Sequence, residues 1–349
     1  MKTSTRFFYI DCIRAVAIIG MVITHVLALH LDSPGMSILW NYLHFVVVGL
    51  VFCSAYVFAA SRPKDEVIPR RLWVTWFGKR VFRLYLPFIL YVLVHYSLWY
   101  ALPTLFWGYG LHKSVSYVIS TLLLTGGVDI GWLTLLFIQL AILSPFLLTV
   151  SRNRKIMPLV FITYTAITLI MSFYRIPIQD SRMIGWLPWS YIAFLGYVYA
   201  DTQKHDARLA NLYVRGALVV GVLLFIILRI TISALGQSLM FSVHKYPPDL
   251  YYLSYGIILT SLMLLVISNR AFTFSPVTRF ITFLSKRAYA IFFIHIIVLD
   301  FVWTTMHLVW WEEIIVIGTL SVLATYVWDR LQKKLSLRQT YDPRLGDTD

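Results

Sequence analysis

Asp11, Arg14 and His25 stand inside the first hydrophobic run of the chain, between Phe7 and Val26. The run is long enough to cross a bilayer, where an Asp or Arg at a helix centre costs roughly 2.5 to 3.5 kcal/mol on the insertion scale. Such groups need partners or a wet cavity, so their concentration in one span points to a site. A helix turns about 100° per residue, and the steps from Arg14 to His25 bring the azimuth back to within about 20°. Asp11 precedes Arg14 at neighbour spacing and returns to nearly the azimuth of His25. One polar stripe therefore faces the interior, with Arg14 near one membrane surface. His25 lies roughly 16 Å farther along the axis, beyond the middle of a ~30 Å hydrocarbon core. There a neutral imidazole can deprotonate a hydroxyl or attack an activated carbonyl. The plainer alternatives are a histidine hydrogen-bonded to another helix and an aspartate that only neutralises Arg14.

A second cluster lies in Arg70-Arg71-Leu72-Trp73, continuing through Lys79-Arg80-Val81-Phe82-Arg83 to Pro87. If this stretch is helical, Arg80 and Arg83 are three apart and Lys79 and Arg83 four apart, so their cationic heads converge. Arginine offers a planar fork of donors to phosphate oxygens, and such a cluster at the membrane surface can clamp them. The competing role is orientation charge attracted to anionic lipid head groups.

The elements that must position these residues are membrane helices. The 349 residues are 13% charged and 59% hydrophobic, with a mean hydropathy of +0.74. A soluble chain would be about 25% charged. Ten spans are expected, near residues 7–30, 38–60, 82–101, 130–150, 157–174, 184–200, 211–235, 250–268, 285–308 and 311–329. A shorter apolar piece near 115–125 is too brief to cross and suits a re-entrant segment. The net charge of +14 is distributed as orientation charge and does not call for nucleic acid. With the amino terminus inside, the inner segments hold Lys2 and Arg6, the basic residues from Arg62 to Arg83, Arg152, Arg154, Lys155, Lys204, Arg208, Arg215, Arg270, Arg279, Lys286, Arg287 and those from Arg330 to Arg344. The opposite side has Lys113, Arg175, Arg182 and Lys245, with Arg14 and Arg229 inside spans. By the positive-inside rule both termini are cytoplasmic. The expected fold is an all-α polytopic membrane bundle over residues 1–330, followed by a short basic cytoplasmic tail at 331–349.

A cleavable signal peptide fits the amino terminus poorly, because Asp11 and Arg14 interrupt the apolar run and no small-residue cleavage site follows. Cys12 and Cys53 read as buried free thiols. No phosphate-binding glycine loop, zinc-ligand spacing or serine-hydrolase elbow is present, and no metal site is expected. His44 and His95 have no supporting constellation in the sequence. Trp99, Tyr100, Trp107, Trp186 and Trp189 suit interfacial anchors, or platforms for sugar rings.

Together, these features resemble the acyltransferase 3 family of integral membrane acyltransferases. Its early Asp, Arg and His pattern is matched by Asp11, Arg14 and His25 within "YIDCIRAVAIIGMVITH", and its paired arginines at the third span by Arg80 and Arg83 in "KRVFRLYLP". A late pattern is matched by Ser285, Tyr289 and His295 in "LSKRAYAIFFIH". The chain departs from the family where a segment like His-Leu-Trp-Phe-Leu is replaced by Ile130-Gly131-Trp132-Leu133-Thr134. The resemblance implies transfer of an acyl, typically acetyl, group from cytoplasmic acyl-CoA to a hydroxyl of an extracytoplasmic carbohydrate or glycolipid. Acyl-CoA is then a co-substrate and no cofactor is bound. His25, Arg14 and Asp11 take the catalytic places, Arg80, Arg83 and Lys79 hold the CoA phosphates, and His295 packs or lines an acceptor passage. The implied setting is a bacterial cytoplasmic membrane, with lipids and envelope-polysaccharide assembly proteins as partners. A transporter or exporter of a carbohydrate or lipid-linked intermediate is the alternative, since transporters also bury charge near the midplane. A non-catalytic partner in a polysaccharide assembly complex is the third class.

Overall fold

The computed structural model of the chain describes residues 8–62, 70–174, 181–268 and 276–340. Phe7 and the basic residues Lys2, Arg6, Lys64, Arg175, Arg270 and Arg344 used in the topology argument lie outside the described residues. In chain order the helices are α1 Phe8–Leu27, α2 Pro34–Leu43, α3 Val46–Ala60, α4 Arg70–Ala101, α5 Val115–Leu122, α6 Gly131–Arg152 and α7 Met157–Phe173. They continue as α8 Ser181–Ile184, α9 Trp186–His205, α10 Ala207–Ala234, α11 Phe241–His244, α12 Leu250–Ser268, α13 Pro276–Thr305 and α14 Trp310–Thr340.

Among the described residues, eight segments are long and apolar enough to cross a membrane, α2 and α3 counting as one from Pro34 to Ala60. The other two expected spans correspond to α7, which is apolar but has only 17 residues, and α9. Helix α9 packs among α3, α6, α7 and α10 and buries Ser190, Tyr191, Tyr197 and Tyr199. A helix enclosed by protein need not be apolar throughout, because its polar groups find partners inside the bundle. The fold is a polytopic helical membrane bundle. Helix α14 is continuous to Thr340, through the point at which the tail is expected to begin.

Buried hydroxyls are tolerated in these apolar surroundings because they bond back to their own helix backbone. Thr24 donates to the Gly20 carbonyl at 2.7 Å, Ser144 to Leu140 at 2.8 Å and Ser321 to Ile317 at 2.6 Å. An unpaired hydroxyl in hydrocarbon would instead cost several kcal/mol, on the order of the cyclohexane transfer value. Close helix approach rests on small residues. A Cβ on Gly196 would come within 2.7 Å of the Phe52 carbonyl oxygen and 2.9 Å of the Ala55 Cβ, so α9 meets α3 backbone to side chain.

The segment expected to be re-entrant contains α5. Ser114 caps it by accepting from the Tyr117 amide at 3.2 Å. Near its start, Tyr96 of α4 donates to the His112 carbonyl; at its end, Tyr85 donates to the Leu122 carbonyl. Tyr96 and Tyr85 are about 16 Å apart along α4 at 1.5 Å per residue. Helix α5 therefore descends along α4 and the chain turns back at Leu124 and Gly127, both with positive φ.

One aromatic expectation is corrected. Trp189 is 1% exposed and stacks on Trp132 with ring centroids 6.2 Å apart, so it is a core residue and not an interfacial anchor. Its position on protein-enclosed α9 turns it away from lipid.

Candidate active site

Helix α1 lies at the centre, packed against α3, α13 and α14. Its stripe is where helical geometry puts it. Asp11, Arg14 and Ile18 line a cavity of about 820 Å³, together with Arg80, Arg83, Lys204 and Lys286. The cavity is bounded by Ser61 and Lys204 at the basic end of the bundle and reaches Ile18, Leu50 and Phe292 inside it. Trp76, Arg80, Arg83 and Leu84 of α4 all line it, following the spacing of a single helical face. Lys79 is exposed and stands outside the cavity, because it lies about 100° around the helix from Arg80. Its azimuth is within about 40° of Arg83, yet it falls outside the arc that lines the cavity.

The cavity is basic. Arg80 donates to the Ser54 hydroxyl at 3.1 Å and lies within electrostatic range of Arg14 and Arg83. Among the described residues, no carboxylate is within ion-pair distance of Arg14, Arg80 or Arg83. The expected Asp11–Arg14 pair is therefore corrected. Asp11 is 5% exposed and accepts from the Ser285 hydroxyl of α13 at 2.6 Å, which draws its short side chain toward α13 and leaves the Arg14 guanidinium to the cavity. Lys204 is used differently: its ammonium donates to the Ala59 and Arg62 carbonyls at 2.8 and 2.6 Å, capping the carboxyl end of α3.

His25 lies seven residues beyond Ile18 on nearly the same azimuth, about 10 Å farther along α1. Phe292 joins the two regions: it lines the cavity and its ring centroid is 6.4 Å from His25 and 5.9 Å from His295. His25 Nδ1 is 2.9 Å from His295 Nε2, and the rings stack with centroids 5.0 Å apart. His295 is fully buried, and its Nδ1 is 3.0 Å from the Ile291 carbonyl. The hydrogen-bond network assigns the tautomers. A carbonyl only accepts, so His295 Nδ1 carries the proton and His295 Nε2 is the acceptor. His25 Nδ1 must then donate, which leaves His25 Nε2 with a free lone pair. Sequence reasoning placed His295 in packing or in a passage; the fold sets its Nε2 against His25 Nδ1.

The other members of the late motif hold the cavity's wall. Tyr289 donates to the Leu84 carbonyl and bonds Thr134, each at 2.8 Å, which ties α13 to α4 and α6 next to the arginines. Also missed was His95. It is fully buried with Asp300, its Nε2 2.8 Å from the carboxylate. Asp300 further accepts from the amides of Trp107 and Gly108 at 3.1 and 3.0 Å. The available signal was Asp300 itself, an intramembrane carboxylate in the ninth span.

Fold and site together define a class: a polytopic helical membrane protein whose interior holds a basic cavity and, beyond it, a histidine pair. The chain belongs to the acyltransferase 3 family, whose model, described as an acyltransferase domain, matches residues 7–329. It is a membrane acyltransferase. No curated protein and no solved structure matches the chain significantly.

Proposed function

We propose that the protein transfers an acyl group, typically acetyl, from cytoplasmic acyl-CoA to a hydroxyl of an extracytoplasmic carbohydrate or glycolipid in the bacterial cytoplasmic membrane. The observation that carries this reading is the group of Arg14, Arg80 and Arg83 around one cavity, with no carboxylate ion-paired to them among the described residues. Arg14 and Arg80 are half-buried and Arg83 is exposed at the cavity; cations gathered there without an ion-paired acid favour an anionic ligand, and the phosphates of CoA meet that demand. Lys286, exposed at the cavity rim, adds a flexible cation. The pantetheine arm then follows the cavity past Ile18 to Phe292, bringing the thioester to His25.

At His25 the free Nε2 starts the chemistry. In the base route it takes the proton of the acceptor hydroxyl, the oxygen attacks the thioester carbonyl, the C–S bond breaks, and the proton passes to the departing CoA thiolate. In the carrier route Nε2 itself attacks the thioester carbonyl, the C–S bond breaks to release the CoA thiolate and leave an acyl-imidazolium, and the acceptor oxygen then takes the acyl group, restoring neutral imidazole while the hydroxyl proton passes to the thiolate or to water. Rapid quenching with radiolabelled acetyl-CoA separates them, since only the second leaves label on the protein.

Purified protein in nanodiscs provides the test. His25→Ala is expected to bind acetyl-CoA normally and to lose acyl transfer by roughly a hundred- to ten-thousandfold, the range for a lost general base. Near-normal transfer by this variant would overturn the assignment.

A further inference from the structure

On the far side of the histidine pair from the cavity, one cation stands apart from any role described above. Lys245 follows α11, is 7% exposed and has its ammonium 5.3 Å from the Trp132 ring centroid and 4.9 Å from that of Tyr246. No hydrogen-bond acceptor or ion-pair partner for this ammonium exists among the described residues. Asp129 is the acid whose charge reaches it, but Asp129 is ion-paired to Arg182 at 3.3 Å with its side chain 83% exposed. Burial lowers the Lys245 ammonium to about 8. Its charge is also within electrostatic range of His25 and His44.

The loop carrying Lys245 is held in place. His244 Nδ1 meets the buried Asp249 carboxylate at 2.5 Å and its Nε2 meets the Ser238 carbonyl at 2.7 Å. Asp249 also accepts from the Tyr252 amide at the start of α12 at 3.0 Å, and the Phe241 amide donates to Asn41 of α2 at 2.6 Å. Trp132 is backed by Trp189 and stands at 86° to Tyr246. A buried charge without a paired acid is destabilising, and an apolar residue of the same length would fit the aromatic surroundings better. The arrangement is one in which the counter-ion arrives with a ligand.

We propose that Lys245 is an acceptor-selecting residue: its ammonium binds a carboxylate or phosphate on the sugar that receives the acyl group, holding that sugar beside His25. The inference rests on the reading that the acceptor enters from the side opposite the CoA cavity. It extends that reading by requiring an anionic acceptor, which neither the cavity nor the histidine pair demands. Trp132 and Tyr246 seat the ammonium through their ring faces, so Lys245 recognises charge and the rings fix where that charge is recognised.

The test uses the full-length protein in nanodiscs as wild type, Lys245→Met and Lys245→Arg. Binding of D-glucuronate, D-glucose 1-phosphate, D-glucose and inorganic phosphate is measured by calorimetry, with acetyl-CoA binding and the thermal midpoint recorded on the same samples. Wild type is expected to bind glucuronate or glucose 1-phosphate at least tenfold more tightly than glucose, the loss expected for one charge-assisted contact. Lys245→Met should abolish that preference with acetyl-CoA affinity unchanged and the ligand-free thermal midpoint equal or higher, while Lys245→Arg should keep it. The proposal is overturned if wild type shows no preference, if the preference survives in Lys245→Met, or if inorganic phosphate binds as tightly as the sugar phosphate. Equal loss of thermal stability in both variants would make Lys245 a packing residue. The anion preference is read without turnover, so absent acetyl-CoA binding would defeat the CoA reading separately.

Discussion

Replacing His295 by Leu removes the acceptor that fixes the tautomer of His25 while keeping an apolar side chain in a fully buried position. In the wild type, His295 Nε2 at 2.9 Å stabilises the form of His25 protonated at Nδ1, whose Nε2 is free. Without it, the Nδ1 proton loses its partner in the bundle interior. Leaving a buried donor unsatisfied costs about 1–3 kcal/mol. Through that cost the reactive tautomer and ring orientation are depopulated about five- to 150-fold. Arg14, Arg80 and Arg83 line the cavity that His295 does not touch, so donor affinity should stay within about twofold on this argument. The assay is the initial rate of acyl transfer across acetyl-CoA concentrations: kcat falls by the stated factor and KM for the donor is unchanged. His295→Gln is the control, since its amide oxygen can reach the acceptor position and should restore much of kcat. A Leu variant with wild-type kcat, or a Gln variant no better than Leu, would refute the assigned hydrogen-bond direction.

Arg14→Ala, Arg80→Ala or Arg83→Ala should each raise the Kd for acetyl-CoA roughly ten- to a hundredfold, the loss of one charge-assisted contact; Lys79→Ala, outside the cavity, should leave it unchanged, and equal effects at Lys79 and Arg80 would return the cluster to orientation charge. Gly196→Ala should lower the thermal midpoint, because the new methyl meets the Phe52 carbonyl at 2.7 Å and overpacking of this kind costs about 1–3 kcal/mol; an unchanged midpoint would show that α9 and α3 separate freely. Asp300→Ala strands the His95 ring nitrogen and the Gly108 amide, while the Trp107 amide keeps the Thr304 hydroxyl, so it should unfold more easily by about 1–3 kcal/mol per orphaned donor, measured by thermal unfolding in detergent, and wild-type stability would contradict the structural role. Reporter fusions after Arg62 and Arg154 should read cytoplasmic and those near Asp32, Lys245 and Glu312 extracytoplasmic; cytoplasmic readings at all three latter positions would sink the topology.

What could be read along the chain was whatever depends on a local period. The length and apolarity of the spans, the shared face of Asp11, Arg14 and His25, and the convergence of Arg80 with Arg83 all follow from a fixed rotation per residue. Those features reappear in α1 and α4, and the apolar piece near 115–125 does turn back along α4. Periodicity says nothing about which helix a face meets, or at what rotation. Tertiary packing alone decided that Asp11 binds Ser285 and not Arg14, and that Trp189 is buried. His25 and His295, and His95 and Asp300, are far apart in sequence and meet only because α1 and α4 each pack against α13. Lys245 was counted as one charge on a loop; its meaning came from the aromatic rings and pinned turn that bury it. Local rotation is a property of the backbone, whereas partner choice is settled by the mutual burial of many side chains from distant segments, which no single segment encodes.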